Sequence, residues 1–438
     1  MFSTEVPASK IFLNIALFFI FGILSSPFRW GFLFFFLIFI WVEDLKISFL
    51  VGAVFLFGYL YPSWTEPEFI LPLYEGREVT IEGVVVEEDR NVVRIDNFKD
   101  RIDEKVIIFD HGSLNYGDLV TLTGRPEAFD DQFEDYFRTD NISVAFFNPR
   151  VEIRGEQKTP KAQLFSLRRK LKMKINKGVA SEKASILRAL LLGDRTSISD
   201  QRRDRFSKVG VAHLLAVSGT HIVIISALVF SLLTLIGVTG KIFFTLTTIF
   251  LFIILVGTPA SAIRAGLMSS SLLIGKRVGR SGSPLRVLIF IAAGMLLFNP
   301  GLLFADIGFQ LSFLAVAGII IFSPKILSRL KVGKDNFNSN GSLIKKLYRF
   351  GVQSFSITIS AQILTIPLIY YYFDNLPLIA PISNLFIAPL LPIIMIFGFL
   401  GLILSFVIPE FIAFSLASGG VDLVLFLVDL FYWLIFLC

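Results

Sequence analysis

Hydrophobic positions along the chain fall into three patterns. Residues 11–24, 31–42 and 47–61 are nearly unbroken apolar runs, and a second series lies at 211–236, 242–257, 260–275, 285–299, 307–322, 352–373, 378–406 and 411–437. An apolar helix of about 20 residues spans a hydrocarbon layer of about 30 Å, so the longer runs predict transmembrane helices. Runs near 15 residues predict tilted, paired or re-entrant segments. Between the two blocks the period changes to that of strands. Segments 79–86, 91–95, 105–109, 119–124 and 142–147 alternate or are β-branched, and turns such as His111-Gly112-Ser113 and Tyr116-Gly117-Asp118 separate them. The third pattern, at 162–177, is a basic amphipathic helix.

Five strands in about 80 residues predict a small barrel, most simply an OB-like one, with a two-sheet sandwich as the alternative. The fold class is therefore a polytopic α-helical membrane protein with an inserted small all-β (OB-like) domain. Four regions follow: N-terminal transmembrane helices at 1–61, the β domain at 62–160, a basic amphipathic connector at 161–210 and a polytopic block at 211–438. Pro62, Pro67, Pro72 and Gly76 mark the linker into the β domain.

Composition supports this division. Of the 438 residues 54% are hydrophobic and 17% charged, more apolar surface than one soluble core can hide. Charge is uneven. Residues 62–160 carry 11 Lys/Arg against 22 Asp/Glu, and residues 161–210 carry 14 against 4. The single cysteine, Cys438, permits neither an intrachain disulfide nor a thiolate cluster. Lys10 before Ile11–Leu24 resembles a signal peptide, but two apolar runs follow with no A-x-A-like cleavage site, so three retained helices are expected. The basic loops at 276–286 and 325–349 share a side, which the positive-inside rule makes cytoplasmic. Counting helices back puts the β domain outside and the N-terminus inside. The connector then lies outside, against the simple rule.

Polar groups within apolar helices are costly, which makes them functional candidates. Asp194 and Arg195 stand just before the second block. His213, Ser218, Gly219 and His221 form a second group, Ser261 and Arg264 a third, and Asp306, Gln310 and Ser312 a fourth, with Gln362 and Asn384 further on. On a straight helix His213 and His221 lie about two turns apart. Two histidines make a poor metal site, and no metal or cofactor is expected. Arg264 needs an anion, a carboxylate or water; pairing with Asp306 and lining a route for an anionic polymer are the two readings. Ser218 lacks the G-x-S-x-G elbow, leaving an intramembrane Ser–His hydrolase as a minor alternative. No phosphate-binding loop or nuclease motif is present, so the chain is not expected to be an enzyme. Gly257-Thr-Pro-Ala and the prolines at 377, 381, 389 and 392 interrupt helices, as around a protein-lined or watery path.

Leu190–Arg195, His213–Ile222 (HLLAVSGTHI), Ser261–Met268 (SAIRAGLM) and Gly308–Ala315 (GFQLSFLA) resemble the signature stretches of ComEC-type competence proteins. The order of short helices, OB-like domain and polytopic block is similar too. The resemblance implies an inner-membrane, multi-pass channel component for uptake of single-stranded DNA in bacterial transformation. It further implies a DNA receptor outside, an ATP-driven translocase inside and contact with membrane lipid; association with further copies is left open. Many such proteins carry a C-terminal metallo-β-lactamase-like domain, whose His-x-His-x-Asp-His motif is missing from this sequence, so any nuclease is expected in trans. The acidic β domain is a poor electrostatic match for phosphate, although Phe98, Phe109, Tyr116, Phe129 and Phe133 offer stacking surfaces. Arg168, Arg169, Lys170, Lys172 and Lys174 of the connector are the better DNA-contact candidates, and a helix skimming the headgroups is the plainer reading of the same charges. A transporter for another anionic solute is the alternative function.

Overall fold

The computed structural model describes residues 8–27, 45–65, 69–97, 104–109, 112, 114–129, 137–138, 140–234, 236–279, 283–330, 343–374 and 376–435. The expected run at 31–42, together with Phe98, His111, Phe133 and Cys438, lies outside these residues. The chain divides into two compact units, Met1–Gln163 with Gly282–Gln310, and Leu164–Ser281 with Leu311–Cys438.

The first unit joins apolar helices to the β domain. Helices Ala8–Ser25 and Leu45–Thr65 cross where Gly22 meets Phe55 and Gly58 meets Phe19. A Cβ on Gly22 would stand 2.3 Å from the Phe55 carbonyl oxygen, so only glycine lets the two backbones touch. The second helix runs past Pro62 to Thr65, and Tyr61 donates its hydroxyl to the Leu297 carbonyl at 2.6 Å. That bond ties it to helix Pro284–Phe298.

Among the described residues the β domain holds seven strands where the alternation predicts five. They are β1 Val79–Glu87, β2 Val92–Asn97, β3 Lys105–Phe109, β4 Asp118–Gly124, β5 Pro126–Glu127, β6 Ile142–Phe147 and β7 Arg150–Glu156, in the order β5-β6-β3-β2-β1-β4-β7. Strand β7 escapes the pattern because its sequence, RVEIRGE, is that of a charged, exposed edge. All neighbours are antiparallel except β3 and β6. Only Arg125 separates β4 from β5, yet these strands lie towards opposite ends of the order. The mixed sheet must therefore curl until segment 118–127 borders both margins. Ile81, Val85, Val93, Ile95, Val106, Leu122 and Phe146 fill the inner face. Strand β6 is buried from Ile142 to Phe146 because its other face is covered as well, with Ile142 and Ala145 packing on Val92 and Ile107.

In the second unit one apolar core runs from Ile175 to Phe431. Helix Ser181–Leu192 belongs to it, with eight buried residues including Ile186, Leu187 and Leu190–Leu192. The C-terminal part of the connector is thus a core element of this unit. Among the described residues five helical spans are long and apolar enough to cross a membrane: Val238–Leu255, Ile307–Arg329, Tyr348–Phe373, Ala380–Leu404 and Ser415–Ile435. Between 11% and 39% of each span's apolar window is buried inside the protein, so most of those side chains need lipid as their solvent. Phe12–Ser25, Gly219–Leu232, Ala260–Gly275 and Pro284–Phe298 are shorter apolar helices.

Candidate functional site

Three of the four polar stretches converge within the second unit. Gly193 ends helix Ser181–Leu192 in the left-handed region (φ 71°), and a Cβ there would press on Val256 and Val217 at 3.0 and 3.1 Å. Asp194, 2% exposed, follows directly. Its carboxylate accepts from the Thr196 hydroxyl at 2.7 Å and lies 3.3 Å from Lys172 Nζ and 3.8 Å from Arg188 Nε. Burial alone would raise its pKa; Lys172, the Thr196 hydroxyl and Arg188 outweigh that and hold it below the usual carboxylate range. Arg195 is exposed.

The run expected at 211–236 breaks in two. A short helix, Ala212–Leu215, carries His213 on an exposed face, and the chain is extended at Ala216 before Ser218 caps helix Gly219–Leu232. His213 and His221 therefore stand on separate helices. The Ser218 N–H donates to His221 Nδ1 at 3.2 Å, and Ser218 Oγ is 3.0 Å from the same nitrogen. Because Nδ1 accepts a backbone N–H it carries no proton, and the neutral ring is protonated on Nε2. His221 is fully buried, and Nε2 has no hydrogen-bond partner among the described residues.

Helix Val238–Leu255 ends in a strained turn. Gly257 (φ 92°) and Thr258 (φ 57°) are both left-handed, with Thr258 N–H donating to Ile253 O at 2.9 Å. A β-branched residue in that region costs about 1–3 kcal/mol. Pro259 then opens helix Ala260–Arg277, which carries Ser261 and Arg264. Ser261 Oγ donates to the Val217 carbonyl at 2.8 Å, fastening this helix to the break before Ser218. Arg264, 6% exposed, donates through Nε to Ser312 Oγ at 2.7 Å. Its Nη1 lies 3.5 Å from Met268 Sδ, and its guanidinium stands 5.8 Å from the Phe313 ring centre. Among the described residues it has no carboxylate partner.

Asp306 and Gln310 belong to the first unit and bond locally, with Gln310 Oε1 left without a partner among the described residues. Asp306 Oδ1 accepts the Phe309 N–H at 2.8 Å, so the carboxylate that one of the two readings pairs with Arg264 caps its own helix. Gln310 Nε2 donates to Leu303 O and Phe304 O. Elsewhere in the second unit, Gln362 Nε2 donates to Pro377 O at 3.2 Å, and Asn384 is buried with Oδ1 unpaired. The pattern of the sequence did not single out Ser383, whose hydroxyl donates to Val209 O at 2.7 Å, or Met268 and Phe313 beside Arg264.

The connector cations divide. Arg168 is a correction: at 1% exposed it donates through Nε and Nη2 to the Leu192 carbonyl, a helix cap in the core and no surface contact for DNA. Lys172 is held by Asp194, and Lys174 by Glu410 and the Ser405 carbonyl. Arg169 is half-buried, and Lys170 is exposed. Among the described residues no three His, Cys, Asp or Glu side chains converge in a metal-ligating group.

Lipid-facing spans around buried, partly unsatisfied polar groups define a multi-pass membrane protein whose polar interior is concentrated at broken helices. The chain belongs to the competence protein family, whose model matches residues 190–437, more than half its length. It is similar to ComE operon protein 3 of Bacillus subtilis (strain 168), 29% identical over 280 residues. That alignment covers 64% of this chain and 33% of the relative, so the chain spans about a third of that protein's length. No solved structure matches it. The matched region contains all four stretches that carried the resemblance.

Proposed function

We propose that the protein is a channel component that passes single-stranded DNA across the bacterial cytoplasmic membrane during natural transformation. The observation that carries this reading is Arg264, buried beside two broken helices with no carboxylate to neutralise it. A cation left unpaired at such cost fits a path for a polyanion. Ser218, Gly219, His221, Ser261 and Ser312 would line or gate that path, with Asp194 and Arg195 at its approach. The curled sheet, with its parallel β3–β6 pair, is compatible with an OB-like barrel outside the membrane. Lys170 is the exposed connector cation proposed to meet a strand. A receptor outside and a translocase inside complete the proposed system.

The test is transformation frequency at unchanged surface DNA binding, comparing wild type, a gene deletion and Arg264→Ala with membrane insertion checked. A deletion strain of a competent host that transforms normally would sink the proposal.

One observation favours a second reading. Ser218 Oγ, 3.0 Å from His221 Nδ1, has the spacing of a nucleophile and its base. Among the described residues no third group orients His221 through Nε2, and helix capping accounts for the contact. An intramembrane hydrolase predicts turnover of a lipid or peptide ester that Ser218→Ala abolishes.

A further inference from the structure

Around Gly219 the second unit gathers donors without an acceptor. Gly219 and Thr220 open the 14-residue helix Gly219–Leu232, and the first N–H groups of a helix lack intrahelical partners. The helix dipole adds about half a positive charge there. An independent group points the same way. Arg264 uses Nε and Nη1 on Ser312 and Met268, but Nη2 has no hydrogen-bond partner among the described residues. That nitrogen lies 3.9 Å from where a Cβ on Gly219 would stand. The missing side chain therefore leaves backbone and guanidinium facing one small space. His221 acts as a positioning residue. By accepting the Ser218 N–H it fixes the turn from which Gly219 and Thr220 start the helix.

We infer that Gly219, Thr220 and Arg264 form a seat for one tetrahedral oxyanion, the phosphate of a phosphodiester backbone or of an anionic phospholipid headgroup. Backbone N–H groups at a helix start together with a guanidinium are the chemistry that recognises phosphate. The strand as source rests on the DNA-uptake reading; the seat itself does not. One seat with three donors holds one phosphate at a time, weakly enough for the next to replace it, as conduction requires.

The test uses the full chain in nanodiscs of phosphatidylcholine, with a short fluorescent oligothymidylate and the same oligomer carrying an uncharged methylphosphonate backbone. The wild type binds the charged oligomer and not the neutral one. Arg264→Gln removes the fork and Gly219→Ala fills the space, and each weakens binding roughly tenfold or more. The alanine Cβ would meet only Ala265 Cβ at 3.8 Å and Arg264 Nη2 at 3.9 Å, ordinary contacts that leave the fold intact. Matched melting temperatures check this. Adding phosphatidylglycerol separates the sources. If it lowers oligomer affinity in the wild type but not in Gly219→Ala, the seat stands with a lipid phosphate as its ligand. Equal affinity in wild type and both variants overturns the seat. Normal transformation by a deletion strain would remove the uptake reading while leaving this binding result unchanged.

Discussion

Two arginines show how differently the β domain and the helical unit handle charge. Arg90 of the β domain sits 2.7 Å from Glu87 and 2.7 Å from Asp140, and these carboxylates outweigh the cost of its burial and raise its pKa. Arg264 is the more deeply buried, yet its neighbours are a hydroxyl, a thioether and a ring. In the first region charge closes a turn between strands and is neutralised where it stands. In the second, a charge is kept without its counter-ion inside an apolar core. Stability does not favour the second arrangement, and the difference is the one expected between a scaffold and the proposed site.

The comparison is tested most strongly at Asp194, where the helical unit does neutralise its charges. Asp194→Ala leaves Lys172 and Arg188 without their shared carboxylate and should cost about 3–5 kcal/mol, read as a large fall in melting temperature in detergent. Its pKa is depressed in the folded state, so its contribution is fully present above the unfolded value of about 3.9. It is lost as pH falls through the lower folded value. Wild-type stability should therefore drop more steeply below about pH 4 than that of Asp194→Asn; parallel curves would show the carboxylate to be thermodynamically idle. Next in size is Arg168→Met, which strips both donors from the Leu192 carbonyl and should cost about 2–3 kcal/mol, while Lys170→Ala changes stability little. Equal effects would mean that Arg168 is not a core cap.

Arg264→Met sharpens the contrast because stability and function should part. Removing an uncompensated charge should leave stability level or raise it by about 1 kcal/mol, whereas transformation should fall at least tenfold. A variant that is strongly destabilised would place Arg264 among the scaffold residues instead.

Much of this was legible in the chain. Unbroken apolar runs marked the spans, and alternation marked five strands, because one-sided burial leaves its period in the sequence. Strand β7 was hidden by its charged, exposed edge, and β5 by its length of two residues. The four polar stretches were visible as polar groups in apolar surroundings, and the family follows from them. What they touch was not visible. Arg168 reads as one cation in a basic helix, and only packing shows that it lies on the buried stripe with Phe165 and Ile175. Thr258 looks like an ordinary turn residue, and its left-handed backbone is set by the helices on either side. Charge offers Asp306 as one partner for Arg264, and the sequence does not show that this carboxylate caps its own helix.

The smallest expected effect lies in the β domain, where the comparison predicts that losing a charge hardly matters. Arg154 reaches Glu82 at 2.5 Å, but the two side chains are 59% and 55% exposed. Water and salt already screen such a pair, and holding two long side chains in one geometry offsets most of the attraction. Arg154→Ala should therefore shift stability by no more than about 0.5 kcal/mol, within the scatter of thermal melts of the full chain, and should leave transformation unchanged. If instead transformation fell while the melting temperature held, the exposed edge strand β7 would be contacting a partner. Charge in the β domain would then serve more than its scaffold, and the division drawn between the two regions would have to be redrawn along that edge.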